Sequence, residues 1–191
     1  LYFYIGFGRF IVKKILVCIA IIFLPTAISA VNNVHVNSEL DIIPTQGYTD
    51  PIALYFEIEN DYILHGLVMG FKLEATGELA AHLNQTYQIY PEYEDLLHWD
   101  FQFIGPMPYD TFVVSAYKMP DDPGFPPGPN RVVFEVQIYV EECSFIGDLC
   151  IDSCMSVGPN NSWLWTKSSG QDIFPDFNSN SGPVCFEGTI P

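Results

Sequence analysis

Three pairs of closely spaced carboxylates are the residues in this sequence best suited to acid–base chemistry. They are Glu57/Glu59, Glu92/Glu94 and Glu141/Glu142. Glycoside hydrolysis needs two carboxyl groups facing one cleft, about 5 Å or about 6.5–9.5 Å apart. Glu57 and Glu59 on one strand face would be roughly 7 Å apart, which gives the hypothesis of a small secreted glycoside hydrolase. We prefer a solvated face of an amphipathic strand, because no GxSxG, HExxH, P-loop or GxGxxG motif occurs.

Aromatic side chains are the second group with a chemical use. Exposed rings can stack on sugars, because an aromatic face is apolar and polarisable while Tyr and Trp keep a polar end. Trp163 and Trp165 are two residues apart and would share a strand face. Tyr90, Tyr93 and Trp99 cluster among acidic residues. These five rings are the candidate ligand-binding residues of a carbohydrate-binding module, and the alternative for the two tryptophans is a place in the core.

Acidic loops offer oxygen ligands for calcium. The loop residues concerned are Asp50, Asn60/Asp61, Asp110 and Asp121/Asp122. Calcium prefers such hard ligands, but the ordered spacing of a calcium-binding loop is absent. The four histidines also share no spacing typical of metal ligands. We therefore predict no metal site and no cofactor, with bound calcium as the alternative.

Four cysteines follow the first 30 residues: Cys143, Cys150, Cys154 and Cys185. An even number in an exported chain predicts two disulfides, whereas structural zinc sites prefer C-x2-C pairs, which are absent. Cys150 and Cys154 would lie about 13 Å apart in an extended strand, beyond the reach of a bridge. We therefore predict Cys143–Cys150 and Cys154–Cys185.

The charge distribution excludes one class of partner. The chain has 23 acidic and 7 basic side chains and a net charge of −16. Residues 1–30 contain three of the basic side chains and no acidic one, so the remaining body carries −19. Such a body would repel a phosphate backbone, which excludes nucleic-acid binding through phosphate neutralisation. It also disfavours adhesion to anionic lipid.

The first 30 residues have the order of a secretory signal peptide. Arg9, Lys13 and Lys14 precede an apolar run over residues 15–24, and small residues lead to Ala30, the predicted cleavage position. The run is too short to span a bilayer, although an uncleaved anchor is the alternative. We predict a signal peptide helix over residues 1–30, export through the Sec pathway, and a secreted or cell-surface domain over residues 31–191.

The body has the pattern of short strands separated by turns. Alternating or β-rich segments recur every 8–15 residues or so, and only residues 77–83 and 92–97 have a helical composition. The clearest strand covers residues 131–140, with Val132, Phe134, Val136, Ile138 and Val140 on one face. The pattern predicts an all-β fold, an antiparallel β-sandwich of jelly-roll or immunoglobulin-like type with about nine strands. The proline-rich residues 120–130 are predicted to be a rigid connection between two strands.

Several local patterns together resemble cohesin-like and related carbohydrate-binding β-sandwich modules of secreted bacterial proteins. They are the strand pair 51–59 and 62–74, the segment 109–112 with the proline loop and strand 131–140, and the segments 151–153, 158–159, 163–165, 174–177 and 182–186. The resemblance covers roughly residues 38–188. It implies a nine-stranded sandwich without catalysis that binds a partner module or a polysaccharide at the cell surface. The leading hypothesis is therefore an exported, non-enzymatic module for recognition or adhesion.

Overall fold

The computed structural model describes residues 31–44, 50–76, 81–105, 109–140, 147–154, 163–178 and 181–189. The predicted signal peptide and Cys143 lie outside these ranges, so export stays a prediction. Within the described ranges, no helix is long and apolar enough to cross a bilayer.

The described residues form thirteen strands and one helix of a single turn. They are β1 (Asn32–Ser38), β2 (Ile42–Pro44), β3 (Ile52–Asn60), β4 (Leu64–Ala75), β5 (Ala81–Ile89), α1 (Pro91–Glu94), β6 (His98–Ile104), β7 (Thr111–Tyr117), β8 (Gly128–Val140), β9 (Gly147–Ser153), β10 (Leu164–Lys167), β11 (Asp172–Ile173), β12 (Asp176–Phe177) and β13 (Val184–Thr189). The number exceeds nine because β2, β10, β11 and β12 are segments of two to four residues.

The strands form two sheets. The five-stranded sheet has the order β12-β1-β3-β8-β5, and the eight-stranded sheet has the path β11-β10-β4-β9-β13-β2, with β7 on the other edge of β4 and β6 beside β7. β4 serves three neighbours because β10 pairs with its first half and β9 with its second half. Pairing is antiparallel except for β1–β12 and β2–β13.

The core lies between the two sheets and is rich in phenylalanine. Phe56 and Phe134 of the five-stranded sheet stack with ring centroids 4.7 Å apart, and Phe71 and Phe112 of the larger sheet stack at 4.9 Å. Phe56 also meets Phe71 edge to face at 4.7 Å. Such pairs add to the free energy gained by burial, by about 0.5–1.5 kcal/mol each. Alternation of apolar and polar side chains along each strand produces this core, and the predicted β-sandwich is confirmed.

Local predictions succeeded where alternation was long and failed where it was short. The alternating residues 98–104 and the β-rich residues 111–117 predict two strands, and β6 and β7 have these boundaries. The helix α1 overlaps the second segment of helical composition and begins one residue before it. The helical interpretation of residues 77–83 was wrong for its described part, because Ala81–Ile89 is a strand. β1 was not predicted, although Val34 and Val36 alternate with polar residues.

The disulfide prediction was wrong in its pairing. Cys150 is bonded to Cys185, so neither Cys143–Cys150 nor Cys154–Cys185 forms. The reason is the register of β9 against β13, which places Cys150 directly opposite Cys185 with Cα atoms 4.0 Å apart. Sequence spacing contains no information about that register. The bond joins two adjacent strands of the larger sheet.

The proline-rich loop connects β7 to β8, as predicted, and it is fixed to the end of the sandwich. Phe125 and Leu64 exchange two backbone hydrogen bonds of 2.9 Å, and the Phe125 ring is fully buried. Gly124 adopts φ +85°, and a Cβ there would lie 3.1 Å from the Leu64 carbonyl oxygen, so the position favours glycine.

Arg131 ties this loop to the core. Its guanidinium donates to Asn60 Oδ1 at 2.9 Å, to the Pro126 carbonyl at 2.6 Å and to the Pro129 carbonyl at 3.0 Å. It also lies over the Phe125 ring, 4.5 Å from the centroid. Desolvation by burial lowers the pKa of Arg131. Asn60, only 1% exposed, donates in turn to the Pro126 carbonyl, so the loop is held by a connected polar network.

Candidate functional site

β6, β7 and β4 form a regularly paired three-stranded platform on the larger sheet. β7 pairs over seven residues with each neighbour and neither pairing contains a register shift. The side chains that point away from the core form four cross-strand rows, which we call the open face: His98–Tyr117–Gly66, Asp100–Ser115–Val68, Gln102–Val113–Gly70 and Ile104–Thr111–Lys72. The opposite side of β6 and β7 presents Trp99, Phe101, Phe103 and Phe112 to the core.

The open face combines exposed apolar groups at its ends with small residues at its centre. Tyr117 is 49% exposed and Ile104 is 43% exposed, at opposite ends of the platform. The His98 ring lies 5.0 Å from the Tyr117 ring. Gly66 and Ser115 are small and partly exposed at the centre, whereas Val113 and Gly70 in the third row are buried. Aromatic and aliphatic groups surrounded by small and polar side chains are typical of a protein-binding surface.

Charge is sparse on the open face and is partly neutralised. Asp100 accepts a hydrogen bond of 2.9 Å from Gln102. Lys72 forms an ion pair of 2.7 Å with Glu74, and that hydrogen bond raises the pKa of Lys72. Lys72 is one of four basic side chains in residues 31–191, and it lies at the Ile104 end of the platform.

The outer side of the five-stranded sheet differs in character and holds a polar cleft. The cleft has a volume of about 340 Å³ and is lined by His35, Val36, Asn37, Glu57, Asn130, Asn178 and Val184, which we call the Glu57 cleft. Glu57 lies opposite His35 in the register of β1 and β3. Its carboxylate accepts hydrogen bonds from the side-chain amides of Asn37, at 2.6 Å, and of Asn130. A register shift in β3–β8 brings Asn130 to this side.

A tyrosine–carboxylate cluster lies beside this cleft on the same sheet. Tyr55 is opposite Asn37 on one side and Glu135 on the other. Desolvation, followed by the charges of Glu135 and Glu39, raises the pKa of Tyr55. Tyr90 has a raised pKa for the same first cause, with Glu135 next and hydrogen-bonded to it. Both tyrosines therefore stay neutral donors at ordinary pH.

The five predicted aromatic ligand-binding residues do not form one surface. Trp165 has no exposed surface and Trp163 is 7% exposed with its Nε1 donating 2.9 Å to the Gly70 carbonyl, so both belong to the core and not to a platform. Trp99 and Tyr93 are half-buried against the core, and Trp99 donates 3.0 Å to the Tyr93 carbonyl. Tyr90 is half-buried beside Glu135. Sugar binding by Tyr90, Tyr93 and Trp99 stays a prediction.

The geometry does not support the predicted hydrolase pair. Glu57 lines the cleft, but Glu59 is not among the described residues that line it, so the two carboxylates do not face one another across a cleft. Several residues of the acidic loops are engaged within the fold. Asn60 Oδ1 accepts from Arg131, and Asp122 accepts a 2.7 Å hydrogen bond from the Met119 N–H. Within the described ranges, no group of three histidine, cysteine or carboxylate side chains is arranged to hold a metal.

Sequence reasoning missed the open face and the amide partners of Glu57. The alternation in β6 and β7 identified the strands but not which outward residues become neighbours. Asn37 and Asn130 lie 20 and 73 residues from Glu57 in the chain, so only the sheet register brings them together. For Asn37, the available signal in the sequence was the strand alternation around Val34 and Val36.

Comparison with solved structures identifies the architecture. No protein-family model and no curated protein matches the chain. A type I cohesin in a cohesin–dockerin complex from Clostridium thermocellum has a TM-score of 0.54 at 11% identity, covering 84% of this chain and 95% of that one. The seventh type I cohesin of a scaffoldin from Pseudobacteroides cellulosolvens has a TM-score of 0.53 at 12% identity, covering 84% and 92%.

A third similar structure is a type II cohesin domain from the cellulosome of Acetivibrio cellulolyticus, with a TM-score of 0.51 at 12% identity, covering 82% of this chain and 95% of that one. Identities this low are evidence of the fold alone. The resemblance to cohesin-like modules drawn from the sequence is confirmed at that level. The chain has a cohesin-like β-sandwich fold.

Proposed function

We propose that this chain is an exported, non-enzymatic recognition module that binds a protein partner through the open face. The observation that carries the proposal is the regularly paired three-stranded platform with Tyr117 and Ile104 exposed at its ends. A partner surface of ordinary size needs such a broad, unbulged area, whereas a small substrate needs a concave pocket.

The fold gives independent support for a protein partner. One of the similar structures is a cohesin–dockerin complex, in which a module of this architecture binds another protein module. Fold alone does not determine function, so the proposal for this chain depends on the composition of its open face. Tyrosine and isoleucine there supply the apolar anchors, and Lys72, Asp100 and Gln102 supply a polar rim.

The proposed compartment is the cell surface or the medium. The signal-peptide pattern supports export, and a disulfide between Cys150 and Cys185 is typical of proteins in oxidising compartments. The acidic body disfavours nucleic acid and anionic membrane as partners. A protein module outside the cytoplasm remains as the proposed partner, with adhesion or assembly as the consequence of binding.

Affinity capture with a matched control tests the proposal. Immobilised protein is exposed to the exported proteins of the source organism, in parallel with Tyr117→Ala and Tyr139→Ala variants. Tyr139 is the control because it faces outward on β8 and packs 5.7 Å from the His82 ring, as Tyr117 packs on His98. The proposal expects one protein that is retained by wild type and Tyr139→Ala and lost with Tyr117→Ala. Equal retention by all three proteins would contradict it.

A further inference from the structure

We propose that the Glu57 cleft is a second binding site, separate from the open face, which takes a neutral, hydroxyl-rich ligand such as a stretch of polysaccharide. The cleft lies along β1, β3 and β8 of the five-stranded sheet, with Val184 of β13 at its edge, whereas the open face is formed by β4, β6 and β7 of the larger sheet. The site therefore adds an activity to the proposed protein recognition and does not depend on it. A volume of about 340 Å³ is within the range of small-ligand sites.

The hydrogen-bonding groups of the cleft match vicinal hydroxyls. Each oxygen of the Glu57 carboxylate accepts one amide hydrogen bond, from Asn37 and from Asn130, and a carboxylate has about four acceptor positions in all. Each amide also has a second N–H and a carbonyl oxygen. A sugar hydroxyl is both donor and acceptor, so neighbouring hydroxyls can donate to Glu57 while accepting from an amide.

These groups are held in place before any ligand arrives. Asn37, Glu57 and Asn130 come from three adjacent strands, β1, β3 and β8. Asn178 follows β12 directly with φ +47°, and its side chain donates a 3.1 Å hydrogen bond to the Gly182 carbonyl, which holds this lining residue in place. A rigid array loses less conformational entropy on binding than a flexible one.

Charge selects the class of ligand. The described lining residues include one carboxylate, one histidine and no lysine or arginine, so an anionic ligand would meet the Glu57 charge without a permanent cation to offset it. A divalent cation prefers more oxygen charge than one carboxylate supplies. A neutral sugar needs neither a compensating cation nor further carboxylates. Tyr55 lies directly across from Asn37 in the strand register, and an aromatic residue at that position can add a stacking contact to a sugar chain that extends beyond the cleft.

The test is a titration with defined sugars. Wild type is titrated with cellopentaose, xylopentaose and mannopentaose, and with an anionic oligogalacturonate, by calorimetry in the presence of a chelator. Binding of at least one neutral probe is expected, at least tenfold weaker in Glu57→Gln and in Asn130→Ala. Glu59→Gln is the matched control, because Glu59 lies on the same strand two residues away and outside the cleft. It should bind like wild type, with unchanged melting curves in all variants.

The proposal is overturned if no neutral probe binds wild type, if Glu57→Gln binds as tightly as wild type, if Glu59→Gln weakens binding equally, or if the anionic probe binds as well as the neutral ones. A requirement for calcium would also overturn it, because the site would then be a cation site. Tyr117→Ala separates this proposal from protein recognition, since it should leave sugar binding unchanged.

Discussion

Replacing Arg131 should destabilise the whole domain, because its guanidinium joins the proline-rich loop to the core. Arg131→Met keeps the aliphatic stem and removes the charged group. The change leaves the buried Asn60 Oδ1 without its donor, which costs about 1–3 kcal/mol. The two carbonyl hydrogen bonds lie in more exposed positions and contribute roughly 0.5–1.5 kcal/mol each.

Other effects partly offset each other in this variant. Contact of the guanidinium with the Phe125 ring contributes about 0.5–2 kcal/mol, whereas removing a partly desolvated charge relieves a cost. We expect a net loss of about 2–4 kcal/mol in the free energy of unfolding. For a domain of this size that corresponds to a melting temperature lower by roughly 4–16 °C. Arg131→Lys should lose a large part of the same free energy of unfolding, because an ammonium group lacks the planar set of N–H donors that a guanidinium has.

The assay is equilibrium unfolding in denaturant with a matched charge control. Lys118→Met removes a cation whose Nζ also donates to two loop carbonyls, at 3.1 and 3.4 Å, but which is exposed. That variant should change the free energy of unfolding by about 0.5 kcal/mol or less. If Arg131→Met and Lys118→Met are equally stable, the network around Asn60 does not hold the loop and the reasoning fails.

Two further predictions concern the disulfide and the tyrosine cluster. The double variant Cys150→Ala/Cys185→Ala should lose about 4 kcal/mol in the free energy of unfolding, which is the chain-entropy value for a separation of 35 residues. Non-reducing peptide mapping of wild type should find the 150–185 crosslink. Recovery of a 154–185 crosslink would refute the register of β9 and β13. Since burial and Glu135 raise the pKa of Tyr55 and Tyr90 in the folded state, their contribution to stability is complete below pH about 10 and is lost as pH rises above it. Tyr55→Phe/Tyr90→Phe should therefore lose less stability than wild type on going above pH 10 or so, measured by denaturant unfolding, and identical losses would contradict the assigned pKa shifts.

Strand positions could be predicted from the sequence because alternation is a local signal. Phe134, Val136 and Ile138 are buried on the predicted face of β8. The prediction fails at Val132, where a register shift opposite Glu57 inserts an extra residue and Val133 is buried instead. A bulge of this kind depends on the partner strand, so one strand's own pattern cannot contain it.

Contacts between residues that are far apart in the sequence could not be predicted. The pairing of Cys150 with Cys185, the amides around Glu57 and the contacts of Arg131 with Asn60 each join residues at least 20 positions apart. Their neighbours are set by strand order and register, which only the folded chain fixes. Trp163 and Trp165 are another example of what the sequence does not specify. Two residues apart, they share one strand face, but the spacing is the same whether that face points outward or into the core.

The central claim is that the open face binds a protein, and the most direct measurement is the affinity of the captured partner for three purified proteins. Calorimetry with wild type, Tyr117→Ala and Tyr139→Ala separates the two outer faces of the sandwich. We predict at least tenfold weaker binding for Tyr117→Ala, because truncating a tyrosine that acts as a hot spot costs about 2 kcal/mol or more, and unchanged binding for Tyr139→Ala. Weaker binding for Tyr139→Ala alone would place recognition on the five-stranded sheet and contradict the claim.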